Sequence, residues 1–343
     1  MTSWELRGVR AVQGSFLMGP LDLGIGESET VAVIGRSGAG KTTLLRAIAG
    51  LVPLDAGEVL KGGTAVGGWP PERRRLAYVP QGLGLFPHLT VRRNVEFAAR
   101  LRHPADAVER SDRLLRRFHL ESFAARRPGE LSTGEQQRVA VARALATEPE
   151  LLLWDEPLGA LDVATREELL EALATVREDD RIPLLLVTHD PSIAYSLADR
   201  FLLLEGGQMR FLGAAAPLVE RPGDPFVARF LGYENVFSRA ALSDLAEVPL
   251  GEWLLSRSGA LGLAFGSGAV RLRDPPEAAW TASVRRREPS PAGMRLDLDV
   301  GGVPLSALVP LRGRDGAAAA GAIGASVGLD IDPADLHPLG GWP

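Results

Sequence analysis

The chain has no cysteine in 343 residues. That excludes a disulfide framework and any thiolate metal site, and it suits a reducing compartment. Lysine is almost as scarce: Lys41 and Lys61 stand alone, and arginine supplies the rest of the 38 basic residues. No run reaches the roughly 20 apolar residues that span a bilayer. The best candidate, residues 316–329, is short, rich in small residues and broken by glycine. The first residues lack the apolar core of a signal peptide. Any membrane role is therefore expected to run through partners. A net charge of -5 gives no support to a nucleic-acid partner. What remains is the composition of a globular protein, 45% hydrophobic and 24% charged, long enough for two or three domains.

One of the two lysines carries the most specific signal. Gly35-Arg36-Ser37-Gly38-Ala39-Gly40-Lys41-Thr42 fits G-x-x-x-x-G-K-[ST]. The apolar run Val31-Ala32-Val33-Ile34 precedes it and a helical pattern from Thr43 to Ala49 follows. That strand, glycine loop and helix are the context in which backbone N–H groups and a helix N-terminus capture phosphate. Lys41 is placed to reach the β- and γ-phosphates and the Thr42 hydroxyl to ligate Mg²⁺. An ordinary glycine-rich turn is the bland alternative, and a lone lysine at the required position argues against it.

Residues 4–9, 16–25 and 30–34 read as short strands, and Gly50 as the end of the first helix. Residues 53–57 read as a turn, and 58–63 as a peripheral hairpin. Residues 76–79 form a short strand ending at Pro80-Gln81. From about 86 to 146 the pattern is helical and arginine-rich, which suggests an inserted subdomain. Leu151-Leu152-Leu153-Trp154 and Leu184-Leu185-Leu186-Val187 are apolar on both faces, as strands of a covered parallel sheet are. A helix over 163–177 would complete a β-α-β crossover. Around residues 221–225 the texture changes to short alternating strands such as 294–300 and 327–331, a small β-barrel or sandwich.

Further residues surround the loop with chemistry. Asp155 and Glu156 end an apolar strand, where one acid can hold Mg²⁺ and the other deprotonate a water attacking the γ-phosphate. General-base help of this kind is worth about 10²–10⁴-fold. His189 and Gln81 end two further strands, at the edge where open α/β sheets bind ligands. Ser132 and Gly134 open a second anion-seeking helix start. A second such terminus makes sense if it closes over the nucleotide of a neighbouring subunit. Read singly, each of these has a bland counterpart: acids capping a strand, an exposed histidine, a polar loop.

Taken in order, the loop, Gln81, Leu131-Ser132-Thr133-Gly134-Glu135, Asp155-Glu156, Leu161-Asp162 and His189 resemble the Walker A, Q-loop, signature, Walker B, D-loop and H-switch of ABC-transporter ATPases. The resemblance covers roughly residues 4–232. It implies an α/β P-loop NTPase, a RecA-like core with a helical subdomain inserted at about 86–146. The remainder, 233–343, resembles a TOBE or OB-like regulatory domain, all-β. The implied nucleotide set is Gly35, Arg36, Ser37, Gly38, Ala39, Gly40, Lys41, Thr42 and Thr43, with Ser132, Gly134 and Glu135 supplied by a second copy. Mg²⁺ would be held by Thr42, Gln81 and Asp155. Hydrolysis would fall to Glu156, His189, Gln81 and Asp162.

The implied partners are a second copy of the chain, integral-membrane permease subunits and, indirectly, a solute-binding protein. The implied place is the cytoplasmic face of the membrane, peripherally. Within the family the short segment Gln13-Gly14-Ser15-Phe16-Leu17 resembles molybdate and tungstate importers. Ferric iron, sulfate, polyamine and sugar systems carry related tails. Two departures stand out: Thr133 replaces a glycine of the signature, and neither Val12 nor Gln13 is the aromatic that stacks on adenine in the family. Arg285-Arg286-Arg287 is either an anion pocket or a solvated basic turn. A soluble ABC ATPase and an oxyanion-binding module with a degenerate ATPase are the rival readings.

Overall fold

The computed structural model describes residues 2–156, 170, 173, 181–220, 222–244, 249–258, 262–273, 275–310 and 322–340. These form two compact units, Met1–Ala216 and Pro217–Pro343.

The first unit contains β1 (Thr2–Gln13), β2 (Phe16–Gly26), β3 (Thr30–Ile34), α1 (Lys41–Ala49), β4 (Leu54–Lys61), β5 (Thr64–Ala65), β6 (Ala77–Val79), α2 (Val91–Arg102), α3 (Ala107–Arg117) and α4 (Thr133–Leu145). β7 (Leu152–Asp155), β8 (Leu184–Val187), α5 (Pro191–Leu197), β9 (Arg200–Glu205), β10 (Gln208–Ala214) and the start of α6 (Ala215–Glu220) follow. One sheet has the order β10-β9-β3-β8-β7-β6, parallel from β9 to β6. The other is antiparallel, β2-β1-β4-β5.

The apolar runs behave as strands covered on both faces must. Leu152 and Trp154 of β7, with Leu184 and Leu186 of β8, pack beneath α2, α3 and α4. Leu151 and Leu153, with Leu185 and Val187, pack on the opposite side with Leu44, Leu45 and Ile48 of α1. Alternation along a strand thus feeds two cores at once. Full burial of each large aliphatic is worth roughly 1.5–3 kcal/mol.

Pairing register brings the functional loops to one edge. Ile34 lies opposite Leu203, Asp155 opposite Val187, and Val79 opposite Trp154. The chain leaves the sheet on this edge at Gly35, Gln81, Glu156 and His189. Beneath it, buried Arg74 donates to the carbonyls of Ala47 (3.1 Å) and Ile48 (2.7 Å), closing the C-terminus of α1. A Cβ at Gly50 would lie 2.6 Å from the Arg74 guanidinium carbon, so glycine is required there for packing as well as for its left-handed φ of 76°.

Four expectations are corrected or relocated. Residues 53–57 are no turn: all but Pro53 belong to β4, and the β1–β4 pairing is interrupted by register shifts between Arg7 and Ala11, so Gly57 serves a bulge. Most of the helix expected over 163–177 lies outside the described residues, as do Leu161 and Asp162; Leu170 and Leu173 are helical and pack into the first core. The contact boundary falls at 216/217, ahead of the 232/233 division, because α7 (Pro225–Phe230) packs on strands of the second unit. Finally, the second unit is not purely β.

That unit holds β11 (Asn235–Ser238), α8 (Arg239–Asp244), α9 (Pro249–Ser258), β12 (Gly262–Phe265), β13 (Val270–Arg273), β14 (Trp280–Ser290), β15 (Gly293–Val300), β16 (Val303–Val309), β17 (Ser326–Ile331) and β18 (His337–Leu339). Its sheets run β13-β17-β14-β15-β16 and β11-β12-β18, with every pairing antiparallel. Leu250 and Leu254, one helical turn apart, bury α9 against this β core. Arg285, Arg286 and Arg287 lie in β14, not in a turn; Arg285 pairs with Asp299 at 3.2 Å and Arg286 with Glu288.

Candidate nucleotide site

The loop between β3 and α1 is built to receive an anion. Gly40, at φ 100°, is the N-cap of α1 and brings no side chain to its orphan N–H groups; no acid stands in the first turn. A Cβ at Gly35 would lie 2.4 Å from the carbonyl oxygen of Leu204, so only glycine lets the loop lie against β9. Lys41 is 7% exposed and donates through Nζ to the carbonyls of Gly35 (2.8 Å) and Arg36 (3.1 Å). Burial holds its pKa below the usual lysine range, against the opposing pull of Glu156 and Asp155. An ammonium that has given up much of its water is poised to gain from a phosphate.

Thr42 Oγ1 donates to Asp155 Oδ1 at 3.2 Å, and the Tyr78 hydroxyl donates to Asp155 Oδ2 at 3.2 Å. Burial raises the Asp155 pKa, although both hydroxyls favour its charged form. A hydroxyl and a buried carboxylate side by side are the hard oxygen donors Mg²⁺ takes when substrate phosphates complete its shell. Desolvation of Asp155 is a cost that a bound dication would offset.

Glu156 follows with φ 51°, a left-handed conformation that glutamate rarely adopts. Its N–H donates to the Val187 carbonyl at 3.0 Å, which locks the strand end. Gln81 Nε2 donates to Glu156 Oε2 at 2.9 Å, and His189 Nδ1 stands 3.6 Å from Oε1. Gln81 was expected on Mg²⁺ or the water; here its amide engages the Glu156 carboxylate. The structure therefore gathers Lys41, Thr42, Asp155, Glu156, Gln81 and His189 at one edge. A cleft of about 540 Å³ there is lined by Gln13, Phe16, Ser37, Gly38, Ala39, Gly40, Lys41, Thr42, Thr43, Gln81 and Glu156.

The second helix start is absent from that lining. Ser132 caps α4: its Oγ accepts from the Glu135 N–H at 3.3 Å, while the Glu135 carboxylate accepts from the Ser132 N–H at 2.7 Å. Gln136 donates back to the carbonyls of Pro128 and Leu131. Thr133 is exposed in the first turn with ordinary helical backbone, so its side chain brings no strain. Asp162 lies outside the described residues.

Two contacts at the site went unread in the sequence. Tyr78 reaches Asp155 across neighbouring strands, and its only signal is a polar tip between buried Ala77 and Val79. Gln13 accepts from the Thr43 hydroxyl at 3.0 Å, a contact spanning 30 residues that no local pattern announces.

Residues 18–159 match the ABC transporter family. Over 335 residues the chain is 38% identical to the Fe(3+) ions import ATP-binding protein FbpC of Streptomyces avermitilis, covering 96% of this chain and 95% of that protein. The chain belongs to the ABC transporter ATP-binding proteins. It is also 41% identical over 242 residues to the sulfate/thiosulfate import ATP-binding protein CysA of Methylococcus capsulatus, covering 68% of this chain and 70% of the relative. A solved dimeric ATP-binding cassette, in a post-hydrolysis state with ADP and Pi, aligns with TM-score 0.56 and 31% identity over 62% of this chain and 98% of its own. The first unit thus has the P-loop ABC ATPase fold, with an added β-rich unit compatible with an OB-like domain, and the activity of this ABC protein is ATP hydrolysis. Among the described residues no helix is long and apolar enough to cross a membrane.

Proposed function

We propose that the chain is the ATP-hydrolysing subunit of an ABC importer, acting as a homodimer on the cytoplasmic face of a membrane and bound there through permease subunits. The convergence of Lys41, Thr42, Asp155, Glu156, Gln81 and His189 on one sheet edge carries this reading. Lys41 leaves its two carbonyls for the β- and γ-phosphates, while the uncapped N–H groups of α1 hold the rest of the anion. Thr42 and Asp155 would hold Mg²⁺, which when bound neutralises phosphate charge. Glu156 takes a proton from the attacking water once Gln81 releases its carboxylate, and His189 steadies the water from the far side. Asp162 is proposed to act across the dimer. Ser132, Gly134 and Glu135 of a second copy complete the site, and that closure moves the permease.

For the solute, ferric iron is better supported than molybdate or tungstate. The alignment with FbpC covers nearly the whole chain and so takes in most of the second unit, which we read as a TOBE or OB-like regulatory domain. A solute-binding protein would deliver the cargo, which the ATPase itself never touches. Deleting the gene and measuring uptake of radiolabelled ferric iron, sulfate and molybdate tests this assignment. Loss of iron uptake alone supports it, and loss of molybdate uptake alone would reverse it.

A further inference from the structure

Two hydroxyls from different elements hold the Asp155 carboxylate. Thr42 Oγ1, at the start of α1, donates to Oδ1 at 3.2 Å, and the Tyr78 hydroxyl, on β6, donates to Oδ2 at 3.2 Å. The first belongs to the phosphate-loop motif; the second does not. Tyr78 lies opposite Leu153 in the β6–β7 ladder, and Asp155 follows two residues further along β7. Alternation therefore puts all three on the sheet face that α1 covers, while Ala77 and Val79 turn to the other core. Arg46, one turn after Thr42 on α1, is within electrostatic reach of both Tyr78 and Asp155.

A carboxylate only accepts, so the phenol O–H is the donor in this pair. Asp155 is 3% exposed, and little solvent is at hand to replace that bond. With Oδ2 engaged by Tyr78, Oδ1 beside Thr42 is the oxygen left for a cation.

We propose that Tyr78 is a positioning residue for the metal carboxylate: its hydroxyl holds Asp155 to ligation through one oxygen and thereby favours Mg²⁺ over Ca²⁺. Mg²⁺ demands a small octahedral shell, whereas Ca²⁺ takes a larger, looser one and accepts both oxygens of a carboxylate. Releasing Oδ2 lets Asp155 present both oxygens and admits the larger ion. The proposal rests on the Mg²⁺ reading of Thr42 and Asp155 given above.

The test titrates Mg²⁺ and Ca²⁺ separately into the full-length protein loaded with a non-hydrolysable ATP analogue, and measures analogue affinity in EDTA alongside. Tyr78→Phe keeps the ring and removes only the hydroxyl. Mg²⁺ affinity should fall by about 10- to 100-fold, the usual cost of losing the partner behind a metal ligand. Ca²⁺ affinity should fall less, so that the preference for Mg²⁺ drops by at least about 3-fold, the worth of one weak hydrogen bond. Analogue affinity in EDTA should stay unchanged, and hydrolysis should need more Mg²⁺ yet reach the wild-type kcat at saturation. A loss of analogue affinity in EDTA as large as the loss with Mg²⁺ would make Tyr78 a structural residue and overturn the proposal. Unchanged Mg²⁺ affinity, or an equal loss for both cations, would overturn it too. Asp155→Asn is the control. If it lowers Mg²⁺ affinity, adding Tyr78→Phe should lower it no further, and a further loss would place the action of Tyr78 elsewhere. If Asp155→Asn leaves Mg²⁺ affinity intact, the metal reading itself fails and takes the proposal with it.

Discussion

Two helix starts in the first unit face anions in opposite ways. The start of α1 is bare: glycine at the N-cap, no side-chain cap and no acid in the first turn. The start of α4 is closed on itself by Ser132 and Glu135, each satisfying the other's backbone N–H. Bare N–H groups at a helix N-terminus are costly unless water or a ligand meets them, so α1 keeps its binding power in reserve. α4 stands complete without a ligand, and in the proposed dimer it would have to open its capping box partly to offer Ser132 to a phosphate. Under the proposed function the difference implies an order: nucleotide would load on α1 first, and α4 of a second copy would engage afterwards.

The largest expected effect isolates that order. Glu156→Gln should retain ATP binding while hydrolysis falls by about 10²–10⁴-fold, measured as phosphate release. Turnover close to wild type would remove Glu156 as the base. Next comes Lys41→Ala, for which equilibrium binding should show ATP affinity reduced by about 10- to 100-fold, the scale of a lost charge-assisted contact. If the comparison holds, Ser132→Ala behaves otherwise. It should leave the affinity of the monomer unchanged, cost about 1 kcal/mol of stability through the lost cap, and slow hydrolysis. An affinity loss in the monomer would place α4 in the first binding step. The smallest effect is at Glu135→Gln, which keeps the box but removes a negative charge from the face offered to phosphate. Apparent ATP affinity during turnover should rise by about 2- to 5-fold, with a small loss of thermal stability.

The contrast also marks what a sequence can disclose. The apolar runs before Asp155 and His189 announced buried parallel strands because residues such as Leu152 and Leu153 must both be covered. Gly40-Lys41-Thr42 announced a phosphate loop because glycine and lysine at that spacing have few other uses. Ser132 and Gly134 announced an anion-seeking helix start, while the capping box that closes it between Ser132 and Glu135 emerged from the hydrogen bonds. Contacts between distant segments stayed hidden: Tyr78 on Asp155, Gln13 on Thr43, and Arg74 on the end of α1. So did the hydrogen bond from Gln81 to the Glu156 carboxylate. In the second unit, α8 and α9 are short and set among strands, and only the spacing of Leu250 and Leu254 hints at a helix.

The central claim is that α1's bare start is half of a site and that a second chain's α4 supplies the other half. Light scattering on Glu156→Gln, with and without ATP and Mg²⁺, measures it directly. The account predicts a monomer without nucleotide and a dimer with it, reverting to monomer when Ser132→Ala is added. A Glu156→Gln protein that binds ATP yet stays monomeric at saturating nucleotide would contradict it.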